Sequence, residues 1–293
     1  MKVLLIINKQ KPASITLAAE IRETLKDSGI EVVFYSFSDT GIITSGFDIV
    51  FSLGGDGTVL FAARAIAAFG TPIIPLNLGT LGFIASVHPS QWLDVFSRWR
   101  EGKLAVSERL MLDIKVERGG SAVFTLPCLN DAVISASGIA KTIWLDAWTE
   151  DTHIGSYRSD GLIAATPTGS TAYSSSAGGP IIDPEIEAVI LNPVCPFAMM
   201  YRPIVLPAER PVKIKVGTRQ RSDVLLTIDG QVTEALEPGD IVVIRRSGSK
   251  ARLVACDRAS FYKALHGKLA GAVGVNASGI CHAGTDIAGG HDA

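Results

Sequence analysis

The chain is poor in cysteine, has no long apolar run, and leans to neither sign of charge. Its four cysteines, Cys128, Cys195, Cys256 and Cys281, are widely spaced with no CxxC pair. That fits reduced, buried thiols better than a disulfide framework or a cysteine zinc site. Apolar runs such as residues 3–7 fall far short of the roughly 20 residues a membrane helix needs, and the opening MKVLLIINKQ turns polar before a secretory segment could develop. A soluble, cytoplasmic protein is expected. With 27 basic and 29 acidic residues the net charge is −2, so there is no bulk footprint for nucleic acid or anionic membrane, although a local basic pocket stays possible. Familiar motifs are missing too. GDGTVL puts Leu60 where a GxGxxG turn needs its third glycine, and GxxxxGK[ST], HExxH and GxSxG do not occur. A standard dinucleotide dehydrogenase, a P-loop enzyme, a zinc protease and a serine hydrolase are therefore disfavoured.

What is present is an ordinary folding chain of 293 residues, 47% hydrophobic and 19% charged, long enough for about two domains. Apolar stretches predict strands over residues 3–7, 31–35, 48–51 and 73–76. Between them, Leu17, Ala18, Ile21 and Leu25 share one helical face that stops at Gly29; Leu60, Ala63 and Ala67 mark a helix ending at Gly70. A further helix runs from Pro89 to Arg100, with Gly102 after it. This alternation predicts an α/β domain with a parallel sheet over residues 1–106. From there to 256 short strand signals dominate, at 110–116, 122–126, 131–135, 143–148, 162–165, 212–216, 224–228, 241–245 and 252–255, with a Gly119-Gly120 turn after the first. They predict a β-rich, sandwich-like domain over 107–256. A helix over 257–269 is expected to return to the first domain, and the Gly- and Ala-rich residues 270–293 to form a flexible tail.

Three constellations carry chemistry. The first is SLGGDGTVL, where Gly55, Asp56, Gly57 and Thr58 sit at a strand-to-helix turn. A helix start suits an anion, so a carboxylate there invites either a metal ion between it and a phosphate, or a proton to be removed. The bland reading is a turn aspartate. The second is Tyr157 to Leu162 followed by ATPTGSTAY, whose hydroxyls, Thr168 and Thr171 among them, and glycine bend could surround a polyhydroxy or phosphate group, while Tyr173 could lie against a base or pack in a core. Residues 168–179 look like a linker but stand among strand signals. The third is Asn130-Asp131, which could hold ribose hydroxyls, an adenine edge, or only water. Arg64 lies on a helix face that is ordinarily solvated. Cys281-His282 and His291-Asp292 lack metal-ligand spacing.

In order and spacing, GGDGT, NLGTLGF at residues 77–83, Asn130-Asp131, residues 160–173, RPIVLP at 202–207, Asp229-Gly230-Gln231 and Ser260-Phe261-Tyr262 resemble NAD kinases. The five-residue GGDGT turn is shared with lipid kinases; its pairing with TPTGSTAY is specific. The resemblance implies transfer of the γ-phosphoryl group of ATP, with Mg²⁺, to the 2′-hydroxyl of the adenosine ribose of NAD, in a site between the two domains. By resemblance, Asp56 acts at that hydroxyl as a base or as a Mg²⁺ ligand, and the amides of Gly55, Gly57 and Thr58 cradle ATP. Asn130 and Asp131 hold the adenosine, with Asp131 standing where many members have Glu. Asp160 reads an adenine or carboxamide amino group, while Thr168, Thr171, Ala172, Tyr173 and Ser176 belong to the dinucleotide site. Arg64 and Arg158 are candidates to neutralise phosphate. Thr80 replaces the common Arg of NLGRLGF. A homodimer or homotetramer is implied, with neither nucleic acid nor membrane as partner. The rivals are a lipid kinase sharing the turn and a dinucleotide-binding regulator without chemistry. NADH as acceptor and polyphosphate as donor stay open.

Overall fold

The computed structural model describes residues 1–37, 43–79, 82–138, 141–198 and 200–273, with backbone alone for 269–273. The first part alternates strand and helix: β1 (Lys2–Ile7), α1 (Pro12–Asp27), β2 (Glu31–Ser36), β3 (Ile49–Gly54), α2 (Asp56–Ile66), β4 (Ile73–Asn77) and α3 (Trp92–Arg100). The strands lie parallel in the order β2-β1-β3-β4. Helices cover both faces, which is why β1 reads as an unbroken apolar run. Leu4 and Ile6 join Val59, Ala63 and Ile66 of α2, whereas Val3 and Leu5 join Leu17 and Ile21 of α1 and Trp92 and Phe96 of α3.

Antiparallel structure follows: β5 (Val106–Arg118), β6 (Ser121–Cys128), β7 (Asp131–Ala136), β8 (Ile143–Thr149), β9 (Thr152–Ser159), β10 (Gly161–Ala165), the short α4 (Tyr173–Ser176), β11 (Ala188–Val194), β12 (Ile204–Pro207), β13 (Val212–Val216), β14 (Val224–Ile228), β15 (Val232–Leu236) and β16 (Ile241–Val254). Strands β16, β13, β8 and β9 extend the parallel sheet beyond β4, with β5 and β6 beside β16; β12-β11-β10-β7-β14-β15 form a second, wholly antiparallel sheet. Leu112, Ile134, Leu162, Leu191, Ile214, Leu226 and Val242 fill the space between the sheets. The fold is thus an α/β unit with a mostly parallel sheet joined to a β-sandwich.

Several expectations need correction. The two strands expected at 241–245 and 252–255 are one, β16, whose register against β5 shifts between Arg246 and Lys250. Its far end pairs Leu253 with Ile73 of β4, so a single strand runs from the sandwich into the parallel sheet. Strands β9, β11, β12 and β15 were not expected. β9, β12 and β15 lie at sheet edges, where alternation of apolar residues is relaxed, and β11 contains Pro193, a residue that argues against a strand in the sequence although β11 runs through it to Val194. Cys128 and Cys256 are buried as expected, and burial pushes the Cys256 thiol up to about 11, but Cys195 is exposed with φ +44°. Cys281 lies outside the described residues. The last helix, α5 (Arg258–Val273), runs past the expected end at 269. Its Phe261 meets Phe83, and Arg258 and Tyr262 reach Asp183 of the sandwich. Residues 274–293 of the expected tail, with the His282 and His291 pairs, lie outside the described residues. No described helix is long and apolar enough to cross a membrane.

Candidate active site

The glycine turn begins where β3 ends. A Cβ on Gly54 would lie 2.0 Å from Thr58 Oγ1, so the strand end and the first turn of α2 touch at glycine only, and Thr58 is buried there. Gly55 caps the helix and Asp56 is its first residue. The Asp56 carboxylate is not loose in the turn. Its Oδ2 accepts the N–H of Phe83 at 3.0 Å, and its Oδ1 those of Ile84 at 3.3 Å and Ala85 at 2.8 Å. A carboxylate offers about four acceptor positions, so roughly one remains, on Oδ2. A Cβ on Gly82 would lie 1.9 Å from Asp56 Oδ1, which makes glycine necessary there too. The loop is held from behind by Ser86 Oγ donating to Ala255 O and Cys256 Sγ to Ile84 O. Thr80 lies outside the described residues.

Asn130 and Asp131 stand where β6 passes into β7. The Asp229 carboxylate receives three successive amides, Leu129 N at 3.2 Å, Asn130 N at 2.7 Å and Asp131 N at 3.2 Å. From the other side Thr166 N donates to Asn130 O at 2.8 Å and Thr166 Oγ1 to Leu129 O at 2.6 Å. Gly169 is packed so closely that a Cβ would lie 2.1 Å from Asn130 O. The Ser- and Gly-rich stretch is therefore a clamp on Asn130, not a linker. Asn130, Asp131, Ala172, Tyr173, Asp229 and Gly230 line a cavity of about 400 Å³. Asn130 Oδ1, itself shielded from solvent, has no hydrogen-bond partner among the described residues, and Tyr173 is 48% exposed rather than packed in a core.

Burial first, and the neighbouring Asp229 carboxylate second, push the Asp131 carboxyl up to about 7. The folded chain therefore holds a proton here that the unfolded chain has released, so this residue's contribution to stability falls as pH rises from about 4 to about 7. Asp131→Asn is expected to raise the thermal midpoint at pH 8 by several degrees, and by clearly less at pH 5; calorimetric scans at both pH values check this.

Asp160 lines an adjoining cavity of about 390 Å³ that shares Tyr173 and includes Lys141 and Cys195. Thr171 Oγ1 donates to Thr168 O at 3.2 Å, so both threonines brace the clamp and neither lines the cavity; Ser176 is exposed on α4 outside it. Two cations lie apart from the Asn130 cavity. Arg64 is not on a solvated face: Nη1 lies 2.7 Å from Asp229 Oδ2, Nη2 bonds Gln231 Oε1, and 7% of the side chain is exposed. Arg158 lines a third cavity, with Arg219 and Arg221, its guanidinium 5.3 Å from the Trp144 ring and 4.3 Å from that of Phe197. It is not part of the Asn130 cavity.

The ATP-NAD kinase N-terminal domain family matches residues 38–103 and the ATP-NAD kinase C-terminal domain family residues 129–256. The NAD kinase of Treponema denticola is 40% identical over 271 residues, 92% of this chain and 95% of the relative. The chain belongs to the NAD kinase family. The NAD kinase of Symbiobacterium thermophilum is 37% identical over 281 residues, 92% of this chain and 99% of the relative. Among solved structures, an NAD kinase from Archaeoglobus fulgidus in complex with ATP superposes with a TM-score of 0.74 at 25% identity, covering 92% of this chain and 98% of that one. Yeast NADH kinase complexed with NADH gives a TM-score of 0.79 at 24% identity, covering 95% and 89%, a likeness of fold.

For an NAD kinase the geometry adds residues that sequence reasoning missed. Asp229 and Gln231 belong to the quoted DGQ stretch, but nothing in that stretch announces that a distant arginine pairs with both. Lys11, just before α1, brings its ammonium to 3.9 Å from the position a Gly55 Cβ would take and 3.6 Å from that of Gly79. No ion-pair partner for it exists among the described residues. As for magnesium, the described residues contain no group of three His, Cys, Asp or Glu that could hold a metal, and Asp56 gives most of its acceptor positions to amides. These side chains do not make a closed magnesium cage.

Proposed function

We propose that the chain transfers the γ-phosphoryl group of ATP to the 2′-hydroxyl of the adenosine ribose of NAD, giving NADP. The observation that carries this reading is the cavity lined by Asn130, Asp131 and Tyr173, whose Gly230 is followed by Gln231, itself bonded to Gly57 beside Asp56; Asn130 Oδ1, buried next to it, has no partner among the described residues. Leaving a buried acceptor unpaired costs about 1–3 kcal/mol, which a ribose hydroxyl or an adenine amino group would recover. The remaining acceptor position of Asp56 takes the proton of the attacking hydroxyl, with its direction fixed by the three loop amides. Tyr173 offers its exposed ring to a base or nicotinamide. Bound with ATP, magnesium would supply charge neutralisation at the phosphates; on this chain Asp56 Oδ2 is the carboxylate oxygen with an acceptor position left to hold it.

With Arg64 and Arg158 engaged elsewhere, Lys11 is the cation that meets the ATP phosphates. Lys11→Met is expected to raise the KM for ATP about 10-fold or more and to leave the KM for NAD within about twofold, as steady-state kinetics would show. Self-association fits the exposed Phe197, Met200 and Val205 on and before edge strand β12, at 70%, 91% and 48% exposure; a cytoplasmic setting fits the free thiols. The test is incubation of the purified chain with NAD, Mg²⁺ and ATP labelled at the γ-phosphate, followed by mass spectrometry. Labelled NADP is the expected product. ATP hydrolysis with unmodified NAD would count against the reading.

A further inference from the structure

Asp56 and the pair Asn130-Asp131 belong to different layers of the fold, yet one line of side chains joins them. Gln231 Nε2 donates to Gly57 O at 2.7 Å, and its Oε1 accepts from Arg64 Nη2. Arg64 Nη1 then meets Asp229 Oδ2 at 2.7 Å, and Asp229 gathers the amides of residues 129–131. Asp229 N also donates to Asp131 O at 2.9 Å. The ion pair is buried, with 7% of the Arg64 side chain and none of that of Asp229 exposed. Such a pair contributes little net stability, because desolvation offsets attraction. Asp229 further holds φ +50°, a conformation with a cost for a non-glycine residue. What the arrangement does supply is direction: a planar guanidinium fork engages two partners at fixed angles.

We propose that Arg64, Asp229 and Gln231 form a strut that sets the spacing between Asp56 on α2 and the pocket at Asn130 and Asp131. The three act as positioning residues. Lysine at position 64 keeps the charge but cannot engage both partners in one plane, and alanine at 231 cuts the tie to Gly57 and the bond to Arg64 Nη2 while leaving Asp229 as the partner of Arg64. The catalytic consequence rests on the phosphoryl-transfer reading, whereas the strut itself is a matter of geometry.

The test compares the unaltered chain with Gln231→Ala and Arg64→Lys. A displacement of about 1 Å at a reacting centre costs up to about 100-fold in rate, so kcat should fall about 10-fold or more in both variants, with the KM for NAD within about threefold. Gln231→Ala should keep its thermal midpoint within a few degrees. Hydrogen exchange supplies a readout independent of turnover: in Gln231→Ala the amides of the first turn of α2 should exchange at least about fivefold faster, with the parallel strands unchanged. Unchanged kcat per folded molecule in both variants would overturn the strut. If the unaltered chain makes no NADP, the phosphoryl-transfer reading falls; exchange alone then decides, faster exchange supporting the strut and equal exchange overturning it.

Discussion

Asp56→Asn is expected to lower the rate of NADP formation by about 10²–10⁴-fold, the range typical for loss of a general base. The same carboxylate organises its own surroundings, so the substitution has a second, smaller effect. Asparagine keeps one oxygen for the loop amides but turns an N–H₂ group toward another of them, at a cost of about 1–3 kcal/mol. For a chain of this length that is a loss of a few degrees in thermal midpoint, not loss of the fold. Gly82→Ala separates charge from placement, because its methyl group would stand 1.9 Å from Asp56 Oδ1 and displace a carboxylate that is still present. Activity should fall in this variant too. Turnover assays and thermal melts on both variants check the assignment, and near-normal turnover of Asp56→Asn would remove Asp56 from the chemistry.

The second large effect is expected at Gly169. Alanine there would put a methyl group 2.1 Å from Asn130 O, 2.5 Å from its carbonyl carbon and 2.7 Å from its Cα. All three are backbone atoms, held by Thr166 on one side and Asp229 on the other, so neither partner yields cheaply. A loss of about 3 kcal/mol or more follows, roughly 6 °C or more in thermal midpoint. The displaced Asn130 should also weaken NAD binding about 10-fold or more, which calorimetric titration of the folded variant would measure. Gly29→Ala is the useful contrast: its φ of +70° carries strain, but a Cβ there meets nothing within 4 Å and the turn is remote from the cavity. Unimpaired binding is expected in that variant.

The parallel half of the fold was legible because each buried strand is a continuous apolar run and each helix has one apolar face closed by glycine. Leu17, Ala18, Ile21 and Leu25 are buried on α1, and α1 ends just before Gly29. The sandwich was less legible. Strand β12 is short and half exposed at an edge, and β16 changes partners along its length, which no local pattern records. At the site, the motif residues Asn130, Asp131, Ala172 and Tyr173 line one cavity, and Gly57, next to Asp56, accepts a hydrogen bond from Gln231. The burial of Arg64 was illegible for a physical reason. A guanidinium on a helix looks solvated until the partner that buries it is known, and the partners of Arg64 come from more than 160 positions further on. Lys11 escaped notice for the converse reason, since a lysine at a helix start has no local signature of facing a turn built from other segments.

The most direct test of the whole account is a crystal structure with NAD bound. The adenosine ribose should lie between Asn130 and the glycine turn, its 2′-hydroxyl within about 3.2 Å of Asp56 Oδ2, with Asn130 Oδ1 accepting from the nucleoside. A bound NAD whose adenosine ribose turns away from Asp56, or which occupies the Arg158 cavity instead, would contradict it.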